Sequence, residues 1–497
     1  MKSALINLHG DTNMTAAYLH SLITKAGFDL TTIHFRRLGY EIDLPKKEEL
    51  DTLKKYIDEL NPKVIMMSVN SMSFWTAVSI TSLFKDKIII WGGVQPMIDP
   101  ERCLEYVNVI VRGEGDEAII ELLTAIEDNR SIDKIKNVWL KKDGKIIQND
   151  FRPLIENLDI LPIPDYTDNK KVYILKDKIY TSNPFPHNKY GYHITFSRGC
   201  PFSCTYCLNH FLNKTFKHKY LRKRSVDSVI NELIEAKRKY PKLTDVNFWD
   251  DVFLADVVWL REFVEKYKKH INLPFFAYGN ANFVTEERMI LLKEAGISFF
   301  DLGLQSGSEN IRKNIFGRTD TNEMILKADA IINKHHINVG YDIIFSEFET
   351  EKEVEEGINF LLQLKKPFKV QRNKLAYYPN FEITKMALSK DLIKNEDIAS
   401  MSDKVNSQLM NERSAKKQPL MTYYYFLGKT WIPNRFIKYM LNNKWHIIHP
   451  RFMQRCGALI DRMENIKAAA RGMLLLLKNG EYKYVYNRLF NKKEFVA

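Results

Sequence analysis

Residues 1–125 alternate continuous apolar runs with segments whose apolar positions recur at helical spacing. The runs ALINL, KVIMMSV and KIIIW are apolar throughout, as strands buried on both faces are. Between and around them, 14–26, 47–60 and 74–84 show the three- and four-residue spacing of amphipathic helices. Strands of this kind alternating with helices predict a doubly wound parallel sheet. Such sheets bind ligands at the carboxyl ends of their strands.

A second alternation of strands and helices fills residues 191–380. Helical patterns separate six candidate strands: YHITFS near 191–196, DVNFW at 245–249, FFAYG at 275–279, ISFFDLG at 297–303, VGYDIIF at 339–345 and VQRNKLA at 370–376. Six βα units predict a partial (β/α)6 barrel of the TIM type, with its active site at the carboxyl ends of the strands.

Breaks in these patterns divide the chain into four regions. They are a first α/β domain, a linker, the barrel and a basic, mainly helical C-terminal region, at 1–130, 131–184, 185–385 and 386–497. The linker is punctuated by LPIPDY and SNPFPHN. Within it, the pattern near 137–148 predicts a small hairpin that turns at Asp143-Gly144.

The length and composition agree with a multidomain globular protein. A chain of 497 residues is too long for one hydrophobic core. No apolar run reaches the about 18 residues of a membrane-spanning helix, and the N-terminal run is typical of a first strand rather than a signal peptide. Five cysteines do not make a disulfide framework and fit a reducing compartment. We therefore expect a cytoplasmic protein.

The net charge of +13 is concentrated near the C-terminus, where 401–497 holds 18 Lys and Arg against 6 Asp and Glu. Aromatic residues are interleaved with these basic residues over 421–497. The pattern fits a helical cap over the barrel mouth, peripheral contact with a membrane or lipid, or nucleic-acid binding. We rank the cap first, membrane contact second and nucleic acid last.

Three of the five cysteines lie close together after the first barrel strand. Cys200, Cys204 and Cys207 have C-x3-C-x2-C spacing, whereas Cys103 and Cys456 are far away in sequence. A structural zinc site needs four ligands, usually in two pairs, and a redox disulfide needs only two cysteines. Three thiolates can hold three irons of a 4Fe–4S cube and leave the fourth iron open. The spacing favours such a cluster, with zinc or a redox role as the alternatives.

The stretch FSRGCPFSCTYCLN at 196–209 resembles the cluster loop of the radical S-adenosylmethionine (radical SAM) superfamily. The resemblance extends over roughly 185–380, through NFWDDVF at 247–253 and LGLQSGSENIRK at 302–313. It implies that S-adenosylmethionine chelates the open iron and that one electron from the cluster cleaves it to a 5′-deoxyadenosyl radical. The residues implied to bind S-adenosylmethionine are Tyr206, Asp250, Asp251, Gln305 and Ser306.

Most of these S-adenosylmethionine residues also have a structural interpretation. Asp250 and Asp251 follow a strand, where Asp commonly caps the next helix. Capping is equally the alternative for Gln305, Ser306 and nearby Ser308. Gln305 stands where the superfamily often has Glu, which removes a charge but keeps an acceptor and adds a donor.

The first domain resembles the Rossmann/flavodoxin-like cobalamin-binding domain that precedes the barrel in one large class of radical SAM enzymes. WGGVQP and VRGEGDE carry the resemblance, and glycines after a buried strand let a flat ligand approach the backbone. The residues implied to contact cobalamin are Ser68, Asn70, Ser71, Gly92, Gly93, Gln95, Gly113 and Glu114. The alternatives are a nucleotide ligand or none.

The pattern Asp-x-His-x-x-Gly, which supplies a histidine to the lower face of cobalt in other cobalamin proteins, is absent. We therefore expect cobalamin without a protein histidine ligand. Gln95, where relatives often carry His, is the candidate for the lower face, and a plain loop residue is the alternative.

The resemblance implies a cobalamin-dependent radical SAM enzyme, with methylation of an unactivated carbon as the expected reaction. The substrate radical would take a methyl group from methylcobalamin, which a second S-adenosylmethionine restores. Alternatives are ring contraction, cyclisation or redox rearrangement with the same cofactors, and a non-catalytic iron–sulfur or cobalamin-binding protein. The expected partners are a small-molecule, natural-product or lipid substrate and an external electron donor such as flavodoxin or ferredoxin.

Overall fold

The structure is a computed structural model. It describes residues 1–8, 14–36, 44–184, 190–217, 221–253, 255–398, 419–478 and 480–482. Parts of the predicted C-terminal region, 399–418 and 483–497, therefore lie outside the described residues.

The first domain is the predicted doubly wound α/β layer. Its strands are β1 (Lys2–Asn7), β2 (Asp29–Phe35), β3 (Val64–Ser68), β4 (Ile88–Gly92) and β5 (Val109–Val111). Its helices are α1 (Met14–Lys25), α2 (Lys47–Leu60), α3 (Phe74–Thr81), α4 (Val94–Ile98), α5 (Pro100–Cys103) and α6 (Asp116–Glu127). The parallel strands run in the order β5-β4-β3-β1-β2, which is the flavodoxin-like order and confirms the predicted fold class.

Residues 131–184 add two short strand pairs to this sheet. The pairs are β6 (Val138–Lys142) with β7 (Lys145–Gln148), and β8 (Lys171–Leu175) with β9 (Lys178–Tyr180). The first pair is the predicted hairpin, and it extends the sheet beyond β5. The second pair joins the opposite edge, with β8 parallel to β2. The predicted linker thus contributes strands to both edges of the first sheet.

The second sheet is the predicted partial barrel. Its six parallel strands, in sequence order and spatial order alike, are β10 (Gly191–Ile194), β13 (Asp245–Phe248), β14 (Phe275–Gly279), β15 (Ile297–Gln305), β16 (Val339–Phe345) and β17 (Lys369–Lys374). A two-stranded ribbon of β11 (Ser197–Arg198) and β12 (Arg222–Lys223) follows β10. The helices are α7 (Leu208–Thr215), α8 (Val226–Lys239), α9 (Val257–His270), α10 (Glu286–Ala295), α11 (Asn322–Lys334) and α12 (Glu351–Leu361).

Alternation along the barrel strands separates two faces. On β14, Phe275 and Ala277 are buried in the core shared with the helices, whereas Phe276 and Tyr278 are only partly buried on the other face. Because side chains on a strand alternate, this second face is the concave inside of the barrel. The inside is therefore partly open, and it is lined by aromatic and polar side chains.

The described part of the C-terminal region is helical, as predicted. It contains α13 (Glu382–Ser389), a 3-10 helix at Pro419–Tyr425, α14 (Asn434–Asn442), α15 (Trp445–Ile448) and α16 (Pro450–Lys478). Arg372 of β17 donates to Asp461 of α16, while Leu476 near the other end of α16 packs with Tyr190, directly before β10. The region predicted as a cap thus runs along the open side of the barrel. Among the described helices, none combines the length and apolarity needed to cross a bilayer.

Candidate active site

A cavity of about 780 Å³ lies between the two domains. One wall is formed by the carboxyl ends of β1, β3, β4 and β5, where the order of the first sheet reverses. The opposite wall comes from the end of β10 and the start of the cysteine loop, residues 195–199, and from α7. Ligands of doubly wound sheets bind at such a reversal point, so the cavity is the place where the fold predicts a ligand.

Six of the eight residues predicted to contact cobalamin line this cavity: Ser68, Asn70, Gly92, Gly93, Gly113 and Glu114. Gly93 has φ of 93°, and a Cβ there would lie 2.8 Å from Ser68 Oγ and 2.9 Å from the Val69 carbonyl oxygen. Only glycine fits this turn without displacing the β3 edge. The bare backbone at Gly92-Gly93 is therefore a surface that a flat ligand can approach.

Ser71 and Gln95 lie behind the cavity wall rather than on it. The Gln95 side chain is fully buried, and its Oε1 accepts a hydrogen bond of 2.5 Å from Ser71 Oγ. Its Nε2 has no hydrogen-bond partner. The prediction that Gln95 approaches the lower face of cobalamin stays a prediction.

Glu114 joins the first domain to the barrel. Its carboxylate accepts hydrogen bonds of 2.6 and 3.0 Å from Arg222 of β12 and one of 3.1 Å from the Ile155 backbone nitrogen. Burial opposes ionisation, but the hydrogen bond from Arg222 and the charges of Arg198 and Arg222 outweigh it and lower the pKa of Glu114. Glu114 is therefore an ionised residue whose oxygens are engaged across the domain boundary.

Asp116 and Arg198 form a second ion pair across the same boundary, which the sequence patterns did not reveal. Both guanidinium nitrogens of Arg198 donate to the Asp116 carboxylate at 2.9 Å, and Tyr18 donates to it as well. Fork-like arginine–carboxylate pairs fix orientation as well as distance. Because Arg198 lies two residues before Cys200, this pair ties the start of the cysteine loop to the first domain.

The three cysteines share the loop between β11 and α7. Cys200 and Cys204 are buried, Cys207 is half-buried, and all three are free thiols. Thr205 anchors the loop, because its nitrogen donates to the Phe316 carbonyl (3.1 Å) and its hydroxyl to the Ile315 carbonyl (2.7 Å). Burial raises the pKa of Cys200 to about 12 and of Cys207 to about 11, and nearby carboxylate and thiol groups add to this.

This donor set fits an iron–sulfur cube. Buried thiols become thiolates when a cation offsets the cost of burying their charge. Among the described residues, no three His, Cys, Asp or Glu side chains converge on one point as ligands of a single metal ion would. Three thiolates that each bind a different iron of a cube do not require such convergence. The loop could therefore hold a cluster through Cys200, Cys204 and Cys207.

The predicted S-adenosylmethionine residues surround this loop in different roles. The Tyr206 hydroxyl accepts a hydrogen bond of 3.3 Å from Arg318, and its ring packs against Phe316. Asp250 is almost fully buried and accepts from the Phe196 and Ser197 backbone nitrogens at 2.9 and 2.7 Å. Asp250 therefore holds the chain that leads into the cysteine loop. Burial raises its pKa to about 7 in spite of these hydrogen bonds.

Asp251 reaches a cysteine through a residue that the sequence patterns missed. Asn209 Nδ2 donates to Asp251 Oδ2 at 3.0 Å and lies 3.8 Å from Cys207 Sγ. Asn209 lies two residues after Cys207, in the first turn of α7, and no spacing rule in the sequence predicts its role. Polar partners of this kind orient metal ligands.

Gln305 and Ser306 lie at the carboxyl end of β15. Gln305 has φ of 71°, and the pairing of β15 with β16 shifts register between Gly303 and Gln305. Ser306 is fully buried and its hydroxyl donates to Glu349 at 2.7 Å. Left-handed backbone at a non-glycine residue is sparsely populated and is often found at functional sites. The strand end that the resemblance singles out is thus conformationally unusual.

Comparison with known proteins gives two family matches in the same order as the two domains. A sequence model of the B12 binding domain matches residues 11–123, and one of the radical SAM superfamily matches residues 194–361. The second match begins at the end of β10 and includes all three cysteines of the loop.

Relatives and solved structures agree with these matches. An uncharacterized methyltransferase of Pyrococcus horikoshii is 26% identical over 350 residues, which are 69% of this chain and 72% of the relative. An anaerobic magnesium-protoporphyrin IX monomethyl ester cyclase of Synechocystis is 26% identical over 258 residues, 50% of this chain and 48% of the relative. The structure of the cobalamin-dependent radical enzyme OxsB, with aqua-cobalamin and S-adenosylmethionine bound, shares the fold at a TM-score of 0.65 and 16% identity, covering 100% of this chain and 81% of that one.

The fold and the site define a two-domain scaffold in which a B12-binding sheet faces a radical SAM barrel. The two family matches identify a B12-binding domain followed by a radical SAM domain, which is the domain arrangement of the cobalamin-dependent radical SAM enzymes. The cofactors of this class are a 4Fe–4S cluster, S-adenosylmethionine and cobalamin. The cysteine loop and the glycine-lined cavity described above fit the cluster and the cobalamin, respectively.

Proposed function

We propose that this protein is a cobalamin-dependent radical SAM methyltransferase that methylates an unactivated carbon of a small molecule. The cavity between the domains is the observation that carries the proposal, because its walls come from the B12-binding sheet and from the start of the cysteine loop. A methyl donor and a source of radicals can act on one carbon only if both face it at close range. The methyltransferase among the relatives supports methyl transfer, and the cyclase among them supports the alternative of rearrangement without it.

In this proposal the chain's own residues bind, orient and exclude water. When bound, S-adenosylmethionine at the cluster supplies a radical that removes hydrogen from carbon, and methylcobalamin supplies the methyl group. Cys200, Cys204 and Cys207 hold the cluster, and Asn209 orients Cys207. Apolar side chains of α7, with Leu158 and Leu161 from the segment before the barrel, line the cavity and keep water from a reactive centre.

We expect methyl transfer to leave two products of S-adenosylmethionine. The reconstituted chain is incubated with cobalamin, a flavodoxin or ferredoxin reducing system, methyl-deuterated S-adenosylmethionine and metabolites of its source organism. Radical formation releases 5′-deoxyadenosine, and polar transfer to the reduced corrin releases S-adenosylhomocysteine. The two should appear in equal amounts with a product that carries the deuterated methyl group, as measured by mass spectrometry.

A chain with Cys200→Ala serves as the control, because it removes radical formation without touching the cavity. If turnover gives 5′-deoxyadenosine and an unlabelled product, methyl transfer is refuted and ring contraction, cyclisation or redox rearrangement replaces it. Absence of 5′-deoxyadenosine with every donor would favour a non-catalytic binding protein.

We also propose that the protein is located in the cytoplasm and makes peripheral contact with an anionic membrane. The chain has no Asp or Glu between Glu412 and Asp461. On the described part of this stretch, seven apolar side chains are between 45% and 63% exposed: Trp431, Phe436, Tyr439, Ile447, Ile448, Phe452 and Leu459. The aromatic rings Phe436, Tyr439 and Phe452 each pack against Trp445, so they form one patch.

Exposed basic residues on the same elements make this patch suited to lipid headgroups. They are Arg435, Lys438, Lys444, Arg451 and Arg455, and none has an ion-pair partner in the described part of the chain. Aromatic and aliphatic side chains beside unpaired Lys and Arg are typical of helices that lie in a membrane interface. Charge complementarity thus selects an anionic bilayer as the occupant of this surface.

We expect the full chain to sediment with vesicles that contain phosphatidylglycerol and not with pure phosphatidylcholine vesicles. Each basic residue near an anionic surface contributes about 1 kcal/mol. Lys438→Gln with Arg451→Gln should therefore weaken vesicle binding by about 30-fold, since about 1.4 kcal/mol is a factor of ten.

The matched control is Lys141→Gln with Lys145→Gln, which removes two exposed lysines from the β6–β7 hairpin. It should leave vesicle binding within about twofold of the unaltered chain, since removing exposed charges far from the contact changes little. Equal binding to both vesicle types, or equal loss in both double variants, would contradict the proposed contact.

A further inference from the structure

The inner face of the barrel carries a continuous wall of aromatic rings. Trp249 lies at the end of β13 and stacks on His193 of β10, with ring centroids 5.7 Å apart. Its ring also contacts Tyr278 and Phe276 of β14, with ring centroids 5.8 and 6.1 Å away. Phe276 in turn stacks on Phe299 of β15, with ring centroids 6.1 Å apart. Trp249 is nevertheless 44% exposed. The wall therefore presents ring faces to open space inside the barrel.

The hydrogen bond between Trp249 and His193 fixes this wall. Trp249 Nε1 donates to His193 Nδ1 at 2.6 Å. Burial lowers the pKa of His193, although the charge of Asp245 opposes this. The imidazole is therefore neutral, and its Nδ1 can accept the hydrogen bond from the indole. The indole thus has its one donor satisfied and keeps its face free for contact with a ligand.

Two carboxyl groups face this wall from the next two strands. Asp301 of β15 is the register partner of Tyr278, and Asp342 of β16 is the register partner of Gly303, two residues further along β15. Asp301 is 5% exposed, and one oxygen of each carboxyl group, Oδ1, has no hydrogen-bond partner. Buried carboxylates without partners are costly, and an unpartnered oxygen is expected to receive a donor from a ligand.

The backbone of β16 packs closely against Asp301. At Gly340, a Cβ would lie 2.7 Å from Asp301 Oδ1 and 2.8 Å from Phe299, so only glycine allows this approach. Lys369 of β17 is the nearby cation, but its Nζ lies over the Phe299 ring at 4.9 Å and makes no ion pair within 4.0 Å among the described residues.

The pKa values of Asp301 and Asp342 are those expected of two buried carboxyl groups that lie close together. Burial raises the pKa of Asp301 to about 6, with Lys369 opposing it, and raises that of Asp342 to about 7, with the charge of Asp301 adding to the effect. Burial and both carboxylates raise the pKa of Tyr278 to about 12. A bound cation would restore the charge of both acids, because an opposite charge at short range favours ionisation.

We propose that the inner face of the barrel binds the substrate by a protonated amine, held between Asp301 and Asp342, with the apolar part of the substrate against Trp249, Phe276 and Tyr278. An ammonium offers three donors to the two carboxylates and is attracted to the faces of aromatic rings. Asp342 stands level with Gly303, and Gln305 lies about 7 Å further along β15, two residues beyond it. The amine thus lies just below the predicted S-adenosylmethionine residues.

This inference rests on the proposed function in one respect, namely that the barrel interior receives the substrate. Its test requires no turnover. The full chain is titrated with three probes of similar size, 2-phenylethylamine, 2-phenylethanol and 3-phenylpropionate, and binding is followed by saturation-transfer NMR. We expect the amine to bind at least about tenfold more tightly than the alcohol, because hydrogen bonds to charged groups are stronger than those between neutral groups. The carboxylate should bind least.

Two isosteric variants and a matched control locate the effect. Asp301→Asn and Asp342→Asn should each abolish most of the preference for the amine while leaving binding of 2-phenylethanol unchanged. Asp227→Asn, at an exposed carboxylate on the outer helix α8, should leave the preference intact. Circular dichroism of each variant confirms that the barrel is folded.

Equal binding of amine and alcohol to the unaltered chain would overturn the inference, and so would a preference that survives in both Asn variants. Tighter binding of 3-phenylpropionate would overturn it in favour of Lys369 as the anchor. None of these outcomes depends on methyl transfer. A failed amine preference would leave the proposed reaction standing, and an unlabelled product would leave the amine site standing.

Discussion

Replacing Cys204 by alanine is expected to remove the visible absorption of the reconstituted iron–sulfur cluster and to stop 5′-deoxyadenosine formation. Cys204 is buried in the loop, where its carbonyl accepts a hydrogen bond from the Cys207 nitrogen. Changes around a metal ligand cost about 10–100-fold in affinity or activity. Loss of the ligand itself should exceed that range, because a cube with three protein thiolates has no spare one. Iron content and 5′-deoxyadenosine are the measurements.

Cys456→Ala is the matched control for this variant. Cys456 is also a free, partly buried thiol, but it lies on α16, far along the chain from the loop. We expect it to keep full iron content. A normal cluster spectrum in the Cys204 variant would refute the ligand assignment, and stoichiometric zinc without iron in the unaltered chain would restore the zinc alternative.

Replacing Gly93 by alanine is expected to weaken cobalamin binding by at least about tenfold. The added Cβ would meet Ser68 Oγ and the Val69 backbone at 2.8 to 3.0 Å, so the turn after β4 must move. Because Gly93 lines the cavity, a shifted backbone at this turn would enter the space of a flat ligand. The loss corresponds to about 1.4 kcal/mol or more of binding free energy. Titration with hydroxocobalamin, followed by absorption, measures it.

Gly27→Ala separates the steric effect from backbone strain. Gly27 has φ of 91°, almost equal to that of Gly93, but no atom lies within 4 Å of its Cβ position. Both variants should lose about 1–3 kcal/mol of unfolding free energy, which is the cost of a sparsely populated backbone conformation. The Gly93 variant should lose more, because its Cβ also meets neighbouring atoms. Only the Gly93 variant should lose cobalamin affinity. Equal affinity in the two variants would show that the turn does not contact the corrin.

The ion pairs between the domains hold the first sheet against the cysteine loop. Glu114 is held by Arg222, and Asp116 by Arg198, and the four residues connect the helix entry after β5 to the ribbon that flanks the cysteine loop. Removing one partner of a buried pair leaves an uncompensated charge, which costs about 3–5 kcal/mol. These paired charges therefore help to fix the position of residues 113–116 relative to the cysteine loop.

Local patterns in the sequence determined the elements and the main chemistry of this protein. Strands such as 275–279 and 339–345 were predicted with the bounds that the structure has, because alternation and helical spacing are properties of neighbouring residues. The spacing of the three cysteines likewise indicated a cluster with an open iron before any fold was known. Both patterns depend only on residues that are close together in the sequence.

The tertiary structure decided every feature that joins distant segments. Strand β8 pairs with β2, about 140 positions earlier, and nothing in the pattern of β8 specifies that partner. Glu114 was predicted to touch cobalamin, yet its oxygens are engaged by Arg222, 108 residues away. Asp301 and Asp342 look like ordinary strand residues until the register of β15 and β16 brings both to one face. Pairing, register and ion pairs across domains depend on which surfaces meet, and the sequence of one segment does not contain that information.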